Sequence, residues 1–278
     1  MYEKLAVGAL FLLMVASCPL TDGGGNLGNL SNKSLNLSDN SGGDGGLNLD
    51  IGSGTTAESM LKLCPQVKTK RWNDFCNAVF SKDPSKCLSQ RQYGTKEACE
   101  IMIVAVKKNP SLCESVNKYV TGVDSSGKVV NTTFATDCYG HYAVARLDKS
   151  YCSKAGSKAW CELYVDIDKN EVPLERCGDH YKCVMSYAWN NNDKKACEKL
   201  KRGYGEEAEM LECLALVTGD EKHCNGISDI DYKYLCIGYS KLRKAIPSEG
   251  VFIPEKCDKN MDCEREVIER MEKWVARH

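Results

Sequence analysis

No Cys-x-x-Cys pair occurs in this sequence, although it holds 17 cysteines in 278 residues. That absence disfavours a structural zinc site, whose ligands usually lie two to four residues apart, and equally covalent haem or a redox-active dithiol. Histidine is scarce: His141, His180, His223 and His278 are scattered without metal-ligand spacing, so no metal and no cofactor are expected. Neither sign of charge is in excess, with 37 basic against 38 acidic residues, a formal net charge of −1 and no basic block. Nucleic acid is therefore not an expected partner. There is no serine elbow, no phosphate-cradling glycine loop and no pair of carboxylates in a recognisable setting, and an enzyme is not expected.

What is present in abundance is a repeated unit. Asp83 stands four residues before Cys87, with Pro84 between them, and a second cysteine, Cys99, follows at the start of an apolar helix pattern. A carboxylate at that offset suits a helix N-cap, and proline suits the first helical position, where its missing N–H is harmless. The offset recurs as Asn109 before Cys113, Asp148 before Cys152, Asp193 before Cys197 and Asp220 before Cys224. Each capped turn is expected to place its cysteine about one turn into a helix, giving a chain of helical hairpins.

Setting Cys18 aside leaves sixteen cysteines, which divide in order into eight pairs: Cys64 with Cys76, Cys87 with Cys99, Cys113 with Cys138, Cys152 with Cys161, Cys177 with Cys183, Cys197 with Cys213, Cys224 with Cys236, and Cys257 with Cys263. An even set is what a disulfide framework needs. Pairing inside each unit is favoured because a covalent clip tolerates variable loops; pairing across units is the alternative, since the spacing there is steadier. Each bridge closing about a dozen residues should contribute on the order of 3 kcal/mol.

The first 18 residues run from Met1 and Lys4 through an apolar stretch, Leu5 to Ala16, to Val15-Ala16-Ser17-Cys18. This reads as an export signal, too short for a comfortable membrane span. Residues 19–57 are rich in Gly, Ser and Asn without periodicity and read as a disordered tether, with a reach of roughly 35 Å. The tether carries glycosylation sequons at Asn29, Asn32 and Asn36, and a fourth lies at Asn131. Residues 58–278 form the cysteine-rich region, in which helical stripes recur, among them Ala98, Cys99, Met102, Ile103 and Val106, and Tyr232, Leu235, Cys236, Tyr239 and Leu242. The cysteines lie on these apolar faces, so the bridges should be buried. The last stripe, Val267, Met271 and Trp274, is backed by Glu, Arg and Lys, as expected of a terminal cap facing water.

The fold expected is all-α: a solenoid-like array of disulfide-stapled hairpins with one inserted β-hairpin. The insertion is read from the β-branched runs at 119–123 and 128–134 flanking an Asp-x-x-Gly turn in the third unit. Contacts with a partner are expected at Tyr119, Val123 and Val129 of the hairpin and at Tyr139 and Tyr142, since stapling does not require them. The run Asp166-Ile167-Asp168 resembles the opening of a calcium loop, but Glu171 and Cys177 stand where glycine and a bidentate glutamate are needed; a solvated acidic loop is the better reading. The segment Cys177 to Cys183 could present His180 on a tight loop.

At its end the export signal resembles the lipobox of prokaryotic lipoproteins, which implies that Cys18 is lipidated and becomes the mature N-terminus. The cysteine-rich region resembles helical-repeat proteins of prokaryotic, particularly archaeal, cell surfaces, and more distantly the disulfide-stapled Sel1-like repeat proteins. The resemblance implies an extracytoplasmic, membrane-anchored protein at the cell surface or in the periplasm. Its expected role is that of a monomeric binding or scaffold module for a protein or carbohydrate partner; a structural envelope component is the alternative, and a Sel1-like hydrolase a more distant one.

Overall fold

A computed structural model describes residues 56–87, 95–116, 120–123, 129–132, 134–200, 206–247 and 250–278. One local device recurs along it. A helix ends, the first or second residue after it turns left-handed, and an Asp or Asn then caps a short 3-10 turn with a cysteine on or beside it. Helices α2 (Lys70–Phe80), α3 (Thr95–Val106), α4 (Phe134–Arg146), α7 (Tyr181–Asn191) and α8 (Glu206–Thr218) all end this way. The left-handed residues are Lys82, Lys108, Leu147, Asn192 and Gly219, at φ between 49° and 70°. After α2, Lys82 N–H donates to the Val79 carbonyl at 3.1 Å and Asp83 N–H to the Ala78 carbonyl at 3.3 Å, and α3, α4 and α7 close identically. Those paired bonds satisfy carbonyls that the helix end would otherwise leave open.

All five capping residues expected from the sequence accept a backbone N–H two residues on. Asp83 accepts from Ser85, Asn109 from Ser111, Asp148 from Ser150, Asp193 from Lys195 and Asp220 from Lys222, at 2.9 to 3.3 Å. What they cap is a 3-10 turn rather than the start of an α-helix: Pro84–Lys86, Pro110–Ser115, Lys149–Lys154, Ala196–Leu200 and Glu221–Gly226. At the exits of four of these turns, Cys87, Val116, Ala155 and Ile227 are extended, which stops the turn and redirects the chain.

Eight disulfides join neighbours within units, in the order 64–76, 87–99, 113–138, 152–161, 177–183, 197–213, 224–236 and 257–263. Their Cα–Cα separations, 5.4 to 5.8 Å, lie at the usual value for an unforced bridge. In each, the second cysteine sits on an α-helix, and the first sits on or beside the 3-10 turn before it, except Cys177, which ends a short α-helix; the helices carrying the second cysteines are α2 to α5 (α5, Lys158–Asp168) and α7 to α10 (α9, Ile230–Ala245; α10, Met261–Arg277). Two short helices, α1 (Ala57–Leu61) and α6 (Leu174–Cys177), complete the series. All sixteen cysteines are buried, none more than 6 % exposed. The bridges therefore form part of the core, where solvent reductants reach them only after local opening.

The solenoid expectation does not hold. In a solenoid each repeat touches only its neighbours, whereas α10 packs against α2, α3, α4 and α9. Its Val267, Ile268, Met271 and Val275 share one core with Phe80, Met102, Ile103 and Leu242. The final helix is thus an inner element that closes the array upon its own beginning, not a terminal cap. Its charged face is correspondingly enclosed: Glu264 and Glu272 are both 0 % exposed.

The β-hairpin expected as an inserted element is likewise corrected: among the described residues the body of the fold is all-helical, and the extended segments there form only a minimal antiparallel pair that adds no layer to it. The extended residues Val120–Val123 and Val129–Thr132 are four each and pair only with one another. Two four-residue strands with no third partner do not make an independent packing layer. The β-branched composition favours extended backbone locally, but the core of this protein is supplied by helices alone.

Candidate functional site

The enclosed face of α10 gathers most of the buried charge among the described residues. Near its start, the Glu264 carboxylate accepts from the backbone N–H groups of Lys68 (2.7 Å) and Thr69 (3.1 and 3.2 Å) and from the Thr69 hydroxyl, and so caps α2 from a distant part of the chain. Two turns on, Glu272 meets His141 of α4, with His141 Nε2 3.2 Å from its Oε1; its Oε2 is buried without a partner. Burial alone would lower the His141 pKa, but Glu272 outweighs it and holds it above the ordinary histidine value. At the end of α10, Asp168 of α5 accepts from Lys273 and Arg277, each at 2.7 Å. Those two cations outweigh burial and hold the Asp168 carboxyl below its usual range. Arg277 also donates to the Ala145 carbonyl, and Arg146 of α4 returns a bond to the Ala276 carbonyl.

A second polar group lies where α7, α8, α9 and α10 meet. Glu212, 1 % exposed, accepts from the Tyr181 hydroxyl at 2.7 Å, while its Oε1 has no partner. Burial pushes Glu212 up to about 7, and neighbouring Glu209 and Asp262 add to the rise. Burial likewise raises the hydroxyls of Tyr181 and Tyr239. On α10, burial and then Glu266 push Glu269 up, against the pull of Arg265 and Lys273. Trp189 of α7 stands between two guanidiniums, those of Arg270 at 4.6 Å and Arg243 at 4.8 Å. Stacking of this kind lets arginine bury its plane while remaining charged.

The residues singled out for partner contact fall elsewhere. Tyr139 and Tyr142 are 5 % and 4 % exposed and belong to the core: Tyr139 donates to Glu114 at 2.8 Å and Tyr142 packs edge-on against Tyr151. They are packing residues, and that expectation is withdrawn. Val123 and Val129 oppose one another in the extended pair that includes Asn131, while Tyr119 lies outside the described residues, as do Cys18, Asn29, Asn32 and Asn36. The expected solvated loop at 166–168 is in fact the last turn of α5, with Asp168 in the ion pairs above. His180 caps α7, its Nδ1 accepting from Cys183 N–H at 3.3 Å, and packs tilted against Trp160 and edge-on against Tyr164. Among the described residues there is no group of three or more His, Cys, Asp or Glu able to hold a metal, and no helix long and apolar enough to cross a membrane.

The candidate contact surface lies at the junction of α9 and α10. The large hydrophobic side chains that stand exposed among the described residues lie in the first turns of these two helices: Ile230 at 80 %, Tyr232 at 49 % and Tyr234 at 39 % on α9, and Met261 at 48 % on α10. Ile230 and Tyr234 are one helical turn apart and share a face. The Tyr234 hydroxyl accepts from Met261 N–H at 3.0 Å, which joins the first turns of the two helices into one surface. Periodicity had placed Tyr232 on the inner stripe of α9, yet that stripe begins in earnest only at Cys236 and Leu242, both 0 % exposed. The missed signal was Asp229, which caps α9 by accepting from Asp231 and Tyr232 and so fixes the first turn at the edge of the molecule. No protein-family model, curated protein or solved structure matches this chain.

Proposed function

We propose that this chain is a lipid-anchored binding and scaffold module of the cell envelope, which engages a protein partner through the apolar face of Ile230, Tyr234 and Met261. Eight disulfides suit an oxidising, extracytoplasmic setting, since reducing compartments do not sustain them. Of 17 cysteines, the eight bridges use sixteen (17 − 16 = 1), and the one remaining is Cys18 at the end of the lipobox-like segment. Anchor, tether and a stapled helical body would together hold a rigid surface away from the bilayer. The observation that carries the reading is the apolar face itself. Isolated exposed apolar residues are ordinary, but a contiguous group with tyrosine and methionine has the composition of an interface centre.

A photo-activated crosslinking residue at position 230 or 261 of the full chain, on intact cells, tests this. The expected result is a discrete adduct from both positions and none from Glu171 or Lys194, which are exposed elsewhere. Excess soluble domain should compete the adduct away, and the same domain carrying Ile230→Asp and Met261→Asp should not. Adducts made only of two copies of this chain would overturn the reading in favour of a self-associating envelope component. Absence of any adduct would overturn it outright.

A further inference from the structure

We propose that α10 is a proton-operated clasp: His141 and the buried Glu272 hold it against α4, and the buried Glu212 closes α8 on α7 beside it, in mildly acidic surroundings, and both contacts loosen as the surroundings become alkaline. Glu272 is 0 % exposed, its only hydrogen-bond partner among the described residues is His141, and its Oε2 faces no donor. Glu212 is in the same position, with Tyr181 on one oxygen and nothing on the other. An ionised carboxylate at Glu212 lacks both water and a counter-charge, which the protein interior tolerates poorly. A proton removes the difficulty. It can sit on His141, making a charged pair with Glu272, or on Glu212, making it a neutral acid.

The surrounding charges do not supply the missing partner. Facing His141 from α10 are Glu272, Glu269 and Lys273, and Asp137 stands one turn before it on its own helix. Around Glu212 are Glu209 of α8, Asp262 of α10, Tyr181 of α7 and Tyr239 of α9; Arg265 of α10 faces Tyr239 and pairs with Asp262 at 3.3 Å rather than with Glu212. Glu269 faces Arg265, Glu266 and Lys273 of α10 and Lys182 of α7. The signs agree. His141 is held above its ordinary value, so its contribution is full below about 6.5 and is lost as pH rises through the folded value. Glu212, moved from 4.5 to about 7, contributes fully below 4.5 and loses that contribution as pH climbs through 7. The His141–Glu272 pair ties α10 to α4 across 131 residues of chain, and the Tyr181–Glu212 pair ties α7 to α8 beside it, where Asp262 of α10 faces Glu212 and Arg270 of α10 covers Trp189 of α7, whereas the disulfides, all within units, do not depend on α10 except at Cys257–Cys263. The clasp can therefore loosen while the units stay stapled.

Hydrogen exchange of the full oxidised chain, followed by mass spectrometry at pH 5.5 and pH 8.5 and expressed as protection factors, tests the proposal. Peptides from α10 should lose at least tenfold in protection at pH 8.5, and peptides from the turn at 149–154 should not. Peptides from α7 and α8 should lose protection as well; Glu212→Gln, a permanently neutral isostere, should shrink that loss, and His141→Gln should shrink the loss in α10 that arises at the α4 contact. Equal protection of α10 at both pH values in the unaltered chain would overturn the proposal, whether or not either variant folds. An undiminished loss in both folded variants would overturn it too.

Discussion

Glu264 accepts the Thr69 backbone N–H with both carboxylate oxygens, at 3.1 and 3.2 Å, across 195 residues of chain. Thr69 occupies the N-cap position of α2 but makes no capping bond of its own, so the helix takes its acceptor from α10. A negative carboxylate beside the positive end of a helix adds charge–dipole attraction to the hydrogen bonds. Glu264→Ala should cost about 2–4 kcal/mol, because two amides and a hydroxyl lose a charged acceptor in a site closed to water. Glu264→Gln keeps an acceptor and should cost roughly half as much. Urea unfolding of the oxidised protein measures both; a loss under half a kcal/mol for alanine would show that the contact is incidental.

Left-handed backbone at Lys108 costs about 1 kcal/mol for a side chain with a Cβ. Lys108 is exposed at φ 54°, so Lys108→Gly should raise stability by about 0.5–1 kcal/mol, while Gly219→Ala, at φ 70°, should lower it by a similar amount. Thermal melts with the disulfides intact would reveal opposite shifts in the two variants. Shifts of the same sign would mean that the repeated helix ending is not set by this residue.

Gly238 matters for a different reason. A Cβ there would lie 2.6 Å from the Asn260 Oδ1, the atom that caps α10 by accepting from Cys263 N–H. Gly238→Ala should therefore push Asn260 off its cap and cost about 1–3 kcal/mol. Asn260→Ala in the same background should add little further loss, since the cap is already gone. Additive losses would contradict the close approach of α9 to the start of α10.

On the acid side, the Asp168 ion pairs define the limit. Its carboxyl is held below 3.8, so its contribution is present above that value and is lost as pH falls through the depressed one. Together with the opposite trend of Glu212 and His141, stability should peak between about pH 4 and pH 6. Asp168→Asn should lower stability at pH 5 by about 2–4 kcal/mol, leaving two cations without their acceptor. A variant as stable as the unaltered chain at pH 5 would rule out these pairs as a main attachment of α10.

The sequence carried the local units clearly and their closure hardly at all. Asp83, Asn109, Asp148, Asp193 and Asp220 announce the turns because an Asx cap is read at a fixed offset, and ordered cysteine pairs follow from them. The left-handed residues were hidden because Lys82, Lys108 and Leu147 stand where glycine is the usual sign. Glu264 and Glu272 read as a water-facing edge because periodicity reports one apolar face and is silent about what meets the other. Tyr139 and Tyr142 read as contacts for a similar reason: an aromatic that no staple requires can still fill a core. The exposed group at Ile230 and Met261 was invisible, because it arises only where the starts of two helices are brought together.

Peptide mapping of the unreduced protein tests the framework on which every part of this account stands. Proteolysis with reactive thiols blocked, followed by mass spectrometry, should yield linked peptides for the eight within-unit pairs, from Cys64 with Cys76 to Cys257 with Cys263, and no free thiol among these sixteen residues. Linkages between units, such as Cys76 with Cys87 or Cys99 with Cys113, would contradict it.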